Sequence, residues 1–229
     1  MTAAILFDLG NTLVSYYRRD QFSEILDRAI RHVSAELEAR GIASVDHEAA
    51  YARAVAENRE AEDLRVKPMI GRLQRIFELS AADAKAHAEV LCRRFLEPIF
   101  ACARVYEDTI ATLERLKAQG YRTAIVSNLP WGSPVNLWRE ELRRLELSPL
   151  VDAVVLCGDV GWRKPAPEIF LHALRCLDAS RERSIFVGDD VEWDIEGSKA
   201  VGLRPVLIDR DNRHADYVGK RITDLRELG

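Results

Sequence analysis

Long apolar runs are missing from this 229-residue chain. No stretch approaches the roughly 18 apolar residues of a membrane-spanning helix, so no membrane partner is expected. Basic runs are missing too. Lys and Arg number 33 against 37 Asp and Glu, a formal charge of −4, and nothing favours DNA or RNA as a partner. Zinc-type spacing is absent: Cys92, Cys102, Cys157 and Cys176 form no CxxC, and the five histidines form no HExxH. Reduced, mostly buried thiols and packing or surface histidines are expected instead. The opening residues MTAAILFD break their apolar run at Asp8 with no basic segment before it, which makes a poor secretory leader. The expected compartment is the cytoplasm. What the chain does contain, 48% hydrophobic and 31% charged residues, is the composition of a folded globular protein. Its length allows one core plus a small accessory domain.

Two textures follow one another. Residues 3–8 form a short apolar run ending in an acid, which reads as a buried parallel strand. From about 20 to 97 the pattern is helical. Phe22, Ile25, Leu26, Ile30, Val33 and Leu37 recur with a helix period before Gly41 stops them. The stretch 46–63 is rich in Ala and Glu. Pro68 suits the first turn of the next helix, and Ser80 with Asp83 resembles a capping box. From about 105 helices alternate with strands: ATLERLKAQG with YRTAIVSN, a helix near 134–146 with VDAVVLCGD, APEIFLHALRCL with RSIFVGDD, and VEWDIEGSKAVG with RPVLID. This alternation predicts an α/β fold with a doubly wound parallel sheet, built from residues 1–14 and 105–229. The helical stretch 15–104 is expected to form a separate inserted domain.

Ligands of such sheets bind beyond the carboxyl ends of the strands. Asp8, Ser127-Asn128 and Gly188-Asp189-Asp190 stand at predicted strand ends, and Lys164 stands in a loop before a helix. Each has a plain reading: a turn cap for Asp8, a loop start for Ser127-Asn128, a solvated lysine for Lys164, a helix N-cap for Asp190. Gathered at one sheet edge they suit phosphate chemistry. An aspartate can attack phosphorus and form an aspartyl-phosphate. Clustered acids would repel a phosphate dianion unless a cation intervenes. Mg2+, which takes oxygen ligands and keeps water, suits that role. Lys164 would offset the carboxylates, and Ser127 with backbone N–H groups would donate to phosphoryl oxygens.

The order FDLGNTLV (7–14), IVSN (125–128), RKPAPEIF (163–170) and VGDDVEWDIEGSKAVGL (187–203) resembles the haloacid dehalogenase superfamily across essentially the whole chain. The resemblance implies a helical cap in residues 15–104 that closes over substrate, a Rossmann-like core, and a phosphatase acting on a small phosphorylated metabolite. It implies Asp8 as nucleophile; Asp8, Asp189 and the Gly10 carbonyl as Mg2+ ligands; and Asn11, Thr12, Ser127, Asn128 and Lys164 around the phosphate. Asp194 is implied as the acid that orients metal-bound water or Lys164. Asp190 and Asp194, four apart, are expected to share a helix face. One departure stands out. Family phosphatases usually carry Asp-x-Asp in the first motif, and here Gly10 replaces the second acid and Asn11 the following glycine. That acid protonates the leaving group, help typically worth about 10²–10⁴-fold.

Two other functions fit part of the pattern. A 2-haloacid dehalogenase shares the aspartate, lacks the second acid and needs no metal, but it typically carries tyrosine where Gly10 stands. A phosphate-binding protein that lost catalysis with its acid is the other. Substrate choice is expected to lie in the cap and in SYYRRD (15–20), with Arg18 or Arg19 favouring an anion. Trp131 is expected against the substrate or against the cap.

Overall fold

The computed structural model describes residues 3–59 and 62–228. Six strands form one sheet: β1 (Ala4–Phe7), β4 (Arg122–Ser127), β5 (Ala153–Leu156), β6 (Ile185–Gly188), β7 (Arg204–Ile208) and β8 (Arg221–Ile222), in the order β5-β4-β1-β6-β7-β8. Every neighbouring pair is parallel. The chain winds from β1 outward through β4 to β5, then returns to β6 on the other side of β1. That reversal is the switch point where a doubly wound sheet opens a crevice. β1 lies at its centre, paired from Ala4 to Arg122 on one side and from Ile5 to Ile185 on the other. All four of its residues are buried, as a strand covered on both faces requires.

Helices α6 (Thr109–Ala118), α7 (Val135–Arg144) and α9 (Pro167–Cys176) make the crossovers. Phe170 of α9 packs edge-on against Phe186 of β6, ring centroids 5.1 Å apart, in the middle of the core.

Between β1 and α6 the described residues form five α-helices: α1 (Phe22–Ala39), α2 (His47–Glu57), α3 (Met69–Ile76), α4 (Ala81–Ala86) and α5 (Ala88–Ala101). Local signals set their ends. Gly41 takes φ +67° just past α1, Asp46 accepts from the Ala49 amide at 3.1 Å, and Ser80 accepts from the Asp83 amide at 3.0 Å. Pro68 directly precedes α3. The helix expected within 46–63 stops at Glu57; Glu60 and Ala61 lie outside the described residues.

Both ends of this helical insertion pass through one antiparallel ribbon, β2 (Val14–Ser15) with β3 (Arg104–Val105). A second attachment lies elsewhere. Val66 N–H donates to the Gly161 carbonyl at 3.1 Å, and Arg163 N–H to the Leu64 carbonyl at 2.9 Å. The Arg65 guanidinium stacks 3.7 Å over the Trp162 ring between them. Beside this latch, a Cβ on Gly132 would fall 1.9 Å from the Lys67 carbonyl oxygen, so the close approach depends on glycine there.

Two elements differ from expectation. The strand expected to run through VDAVVLCGD stops at Leu156, because Asp159 accepts from the Leu156 amide at 2.9 Å and starts the short helix α8 (Cys157–Val160). The helix expected over VEWDIEGSKAVG is a wide π-helical turn, Val191–Glu196, followed by α10 (Gly197–Ala200). Gly197 meets the Lys164 loop there: a Cβ on it would lie 2.8 Å from Pro165 Cβ.

Candidate active site

Three strand ends and one loop converge at the switch point. Asp8 follows β1, Ser127 ends β4, and Asp189 follows β6. Lys164 reaches in from the loop between α8 and α9. Its Nζ donates to Asp8 Oδ1 at 2.5 Å and to Asp194 Oδ1 at 2.6 Å. The Lys164 and Asp194 side chains are each 2% exposed and that of Asp8 is 9% exposed, so this lysine is no solvated surface residue. Asp8, Asp189 and Asp194 each offer a carboxylate oxygen, and the three oxygens lie within 4.8 Å of one another.

Lys164 is held by its neighbours. Asn128 accepts from the Lys164 amide at 2.8 Å and donates to its carbonyl at 3.1 Å. The side chain expected at the phosphate thus spends both ends of its amide on fixing the lysine loop. Ser127 is buried beside it and donates to the Asn128 carbonyl at 3.2 Å. Thr12 is wholly buried, its hydroxyl without a partner among the described residues.

The loop after Asp8 is tight. Leu13 and Val14 amides both donate to the Leu9 carbonyl at 2.9 Å, and the Asn11 amide donates to the Val14 carbonyl at 2.7 Å. Asn11 sits at φ +57°, a conformation that glycine and asparagine tolerate best, and its Nδ2 donates to Asp189 at 3.2 Å. A Cβ on Gly10 would meet nothing within 4 Å.

Asp190 takes the N-cap role that was its plain reading, which occupies the carboxylate expected beside Asp194. Its carboxylate accepts from the amides of Glu192 (2.9 Å) and Trp193 (2.8 Å), an N-cap, while its own amide donates to Asp194 Oδ2 at 3.2 Å. The orphan amides of the following turn claim the side chain. Trp131, at φ +61° and 4% exposed, packs edge-on to Phe95 of α5. Arg18 forms a solvated pair with Asp20 at 3.1 Å.

The electrostatics are those of crowded acids. Burial pushes the Asp8 carboxyl upward against the pull of Lys164. Burial, with Asp194 nearby, pushes Asp189 up to about 6, and burial pushes Asp194 up to about 7. Burial alone would lower the Lys164 ammonium, but Asp194 and Asp8 outweigh it and raise it. Three carboxylates crowd one ammonium, which pairs with Asp8 and Asp194, and their oxygens are hard donors within 4.8 Å of one another. This donor set fits Mg2+, which favours such oxygens. The arrangement offers a candidate nucleophile, a fixed cation and carboxylate oxygens that could hold a second one.

Gly188, placed at a strand end by the sequence, has a packing role that the sequence did not show. A Cβ on it would lie 2.3 Å from Asp194 Oδ2. Gly188→Ala is therefore expected to push the Asp194 carboxylate off Lys164. Overpacking of this kind costs about 1–3 kcal/mol, which lowers the melting temperature by about 5 °C in a chain of this size. An unchanged melting curve would mean that Asp194 swings aside freely.

The chain is similar to several known proteins. A family model described as haloacid dehalogenase-like hydrolase matches residues 2–202. The ribulose-1,5-bisphosphate 5-phosphatase of Halopiger xanaduensis is 32% identical over 91% of the chain and 85% of its own length. The glyceraldehyde 3-phosphate phosphatase of Pyrococcus furiosus is 36% identical over 51% of the chain, and the match spans 50% of that relative's length. Among solved structures, a HAD phosphatase from Thermococcus onnurineus superposes with a TM-score of 0.71 at 27% identity, over 99% of this chain and 96% of that one.

Proposed function

Because the chain belongs to the haloacid dehalogenase-like hydrolases, we propose that it hydrolyses a small phosphorylated metabolite through an aspartyl-phosphate on Asp8, with Mg2+ as cofactor. The observation that carries this reading is Lys164 bonded at once to Asp8 and Asp194, with Asp189 alongside. Asp8 Oδ1, oriented by Lys164, attacks phosphorus as the ester oxygen departs. Lys164 and Ser127 steady the phosphoryl oxygens, and Asp194 keeps Lys164 in place. Asp8, Asp189 and the Gly10 carbonyl would hold Mg2+. Bound there, it neutralises charge and orients the phosphoryl group. Water then attacks the aspartyl-phosphate and restores Asp8. The test is phosphate release from a panel of triose, pentose and amino-acid phosphates, with magnesium and with chelator. Chelator should abolish release and magnesium restore it. Metal-independent halide release from a 2-haloacid would favour a dehalogenase instead.

The metal site also sets a pH dependence. Asp189 and Asp194 bind protons more tightly in the folded chain than at the ordinary carboxylate value of 3.8, titrating near 6 and 7. Between those limits the native state holds more protons than the unfolded one, so stability falls as pH rises. The metal-free protein is expected to melt several degrees lower at pH 7.5 than at pH 5. Acids with lowered values, such as Asp209, are ionised in both states over that window. Added Mg2+ should raise the melting temperature more at pH 7.5 than at pH 5. A metal-free melting temperature that climbs with pH across this window contradicts the acidic cluster.

Gly10 sets the leaving-group preference. No carboxyl stands there to protonate the departing oxygen, so an ester whose anion is stable leaves more easily. Activated aryl phosphates should be cleaved far faster than glycerol or sugar phosphates. Gly10→Asp enters open space and should speed alkyl esters by about 10²-fold or more while changing aryl esters little. Paired with Asn11→Gly, which suits the positive φ at that position, it becomes the stronger test. Equal wild-type rates on alkyl and aryl esters, with chemistry limiting, would show that another residue supplies the proton.

A further inference from the structure

The bonds inside the loop Leu9–Val14 fix its shape, but its seating on the sheet needs attachments from outside. Arg210 supplies one, two residues beyond β7 and past the stretch 2–202 that matches the family model. Its Nη2 donates to the Thr12 carbonyl at 2.7 Å. Nη1 and Nη2 also donate to the two oxygens of Asp108, at 2.9 and 3.0 Å. The side chains are 14% and 1% exposed, and the guanidinium lies 3.8 Å from the Tyr106 ring centroid. Asp108 accepts in addition from the Leu225 amide at 2.7 Å. Next to Thr12, the Leu13 carbonyl accepts from Thr109 Oγ1 at 2.9 Å and from the Tyr106 amide at 3.1 Å.

From this geometry we propose that Arg210, braced by Asp108, is a positioning residue that clamps the loop carrying Asp8, Gly10 and Asn11. The inference rests on the phosphatase reading for its effect on rate. Two features favour a positioning role over a merely structural one. A half-buried guanidinium fork satisfies a carboxylate in two places and still has a hydrogen left for the loop carbonyl, a geometry that an ammonium does not reproduce. The carbonyl it holds lies two residues beyond Gly10, so a shift there moves both the nucleophile and the Gly10 carbonyl. Small displacements of reacting groups carry large penalties, up to about 10²-fold for roughly 1 Å.

Arg210→Lys keeps a cation beside Asp108 but not the two-point grip. It is expected to lower kcat at least about tenfold with KM within about twofold, while the protein stays folded by its melting curve. Hydrogen exchange at the Asn11, Leu13 and Val14 amides should speed up, with the β1 amides unchanged. Should the single variant fold poorly, Arg210→Met with Asp108→Asn removes both charges together and should give the same loop exchange and the same fall in kcat. Wild-type kcat together with wild-type exchange at those three amides overturns the proposal. A wild type that releases no phosphate from any ester defeats the phosphatase reading alone. The exchange rates then decide the clamp by themselves: faster exchange in the variants supports it, and unchanged exchange overturns it.

Discussion

An Asp8→Asn protein is expected to fold and to release no phosphate above a mock preparation. The amide oxygen is a poor nucleophile and carries no charge for a cation, so the rate should fall by at least about 10⁴-fold, the scale at which a lost nucleophile is felt. Folding should survive for a reason written in the site. Burial already pushes the Asp8 carboxyl toward its neutral form, and asparagine reproduces that form in nearly the same volume. The Lys164 ammonium keeps Asp194 as its anionic partner. The metal-free variant should melt at or above the wild-type temperature near pH 7.5. Residual phosphatase activity in a variant with a native melting curve would remove Asp8 from the nucleophile's role.

Lys164→Met is expected to be damaging twice over. It strips the cation from two buried carboxylates at once. Leaving buried charge uncompensated typically costs about 3–5 kcal/mol, or about 10 °C or more of melting temperature in a chain of this length. The loss should depend on pH in a definite direction. Without Lys164 the carboxyls of Asp8 and Asp194 hold protons still more tightly in the native state. The variant's deficit should therefore be small near pH 5 and grow toward pH 8. Phosphate release should drop by about 10²–10³-fold even where the protein is folded, since in the proposed mechanism the same group would bind the phosphoryl oxygens. A deficit that shrinks toward pH 8 would contradict the pairing.

The fold was legible where burial imposes a period. The stripe from Phe22 to Leu37 announces α1, and the four buried residues of β1 announce a strand covered on both faces. Two-residue strands such as β2, β3 and β8 carry no period, so only the folded chain reveals them. The site was legible in part: Asp8, Ser127 and Asp189 from strand ends, Lys164 from a loop and Asp194 from the resemblance, and Lys164, Asp8, Asp189 and Asp194 do cluster. Which partner each side chain chooses was not. Asp190 and Asp194 look alike in sequence, yet local amides take one while a lysine 30 residues away takes the other. Arg210 and Asp108 are 102 residues apart and belong to no motif, so nothing in the chain joins them before folding does.

The latch between Leu64–Val66 and Gly161–Arg163 changes how the helical insertion can be driven. A body tied through a single ribbon can rotate about it, and a second fixed point away from that axis removes the freedom. The β2–β3 ribbon is such an axis, and the paired amides with the Arg65–Trp162 stack are the second point. Swinging the helices outward would therefore also have to break the contacts at Trp162, two residues from Lys164. The latch and the lysine proposed for catalysis share one short stretch of backbone, so a load applied at the helices would reach the lysine's own loop.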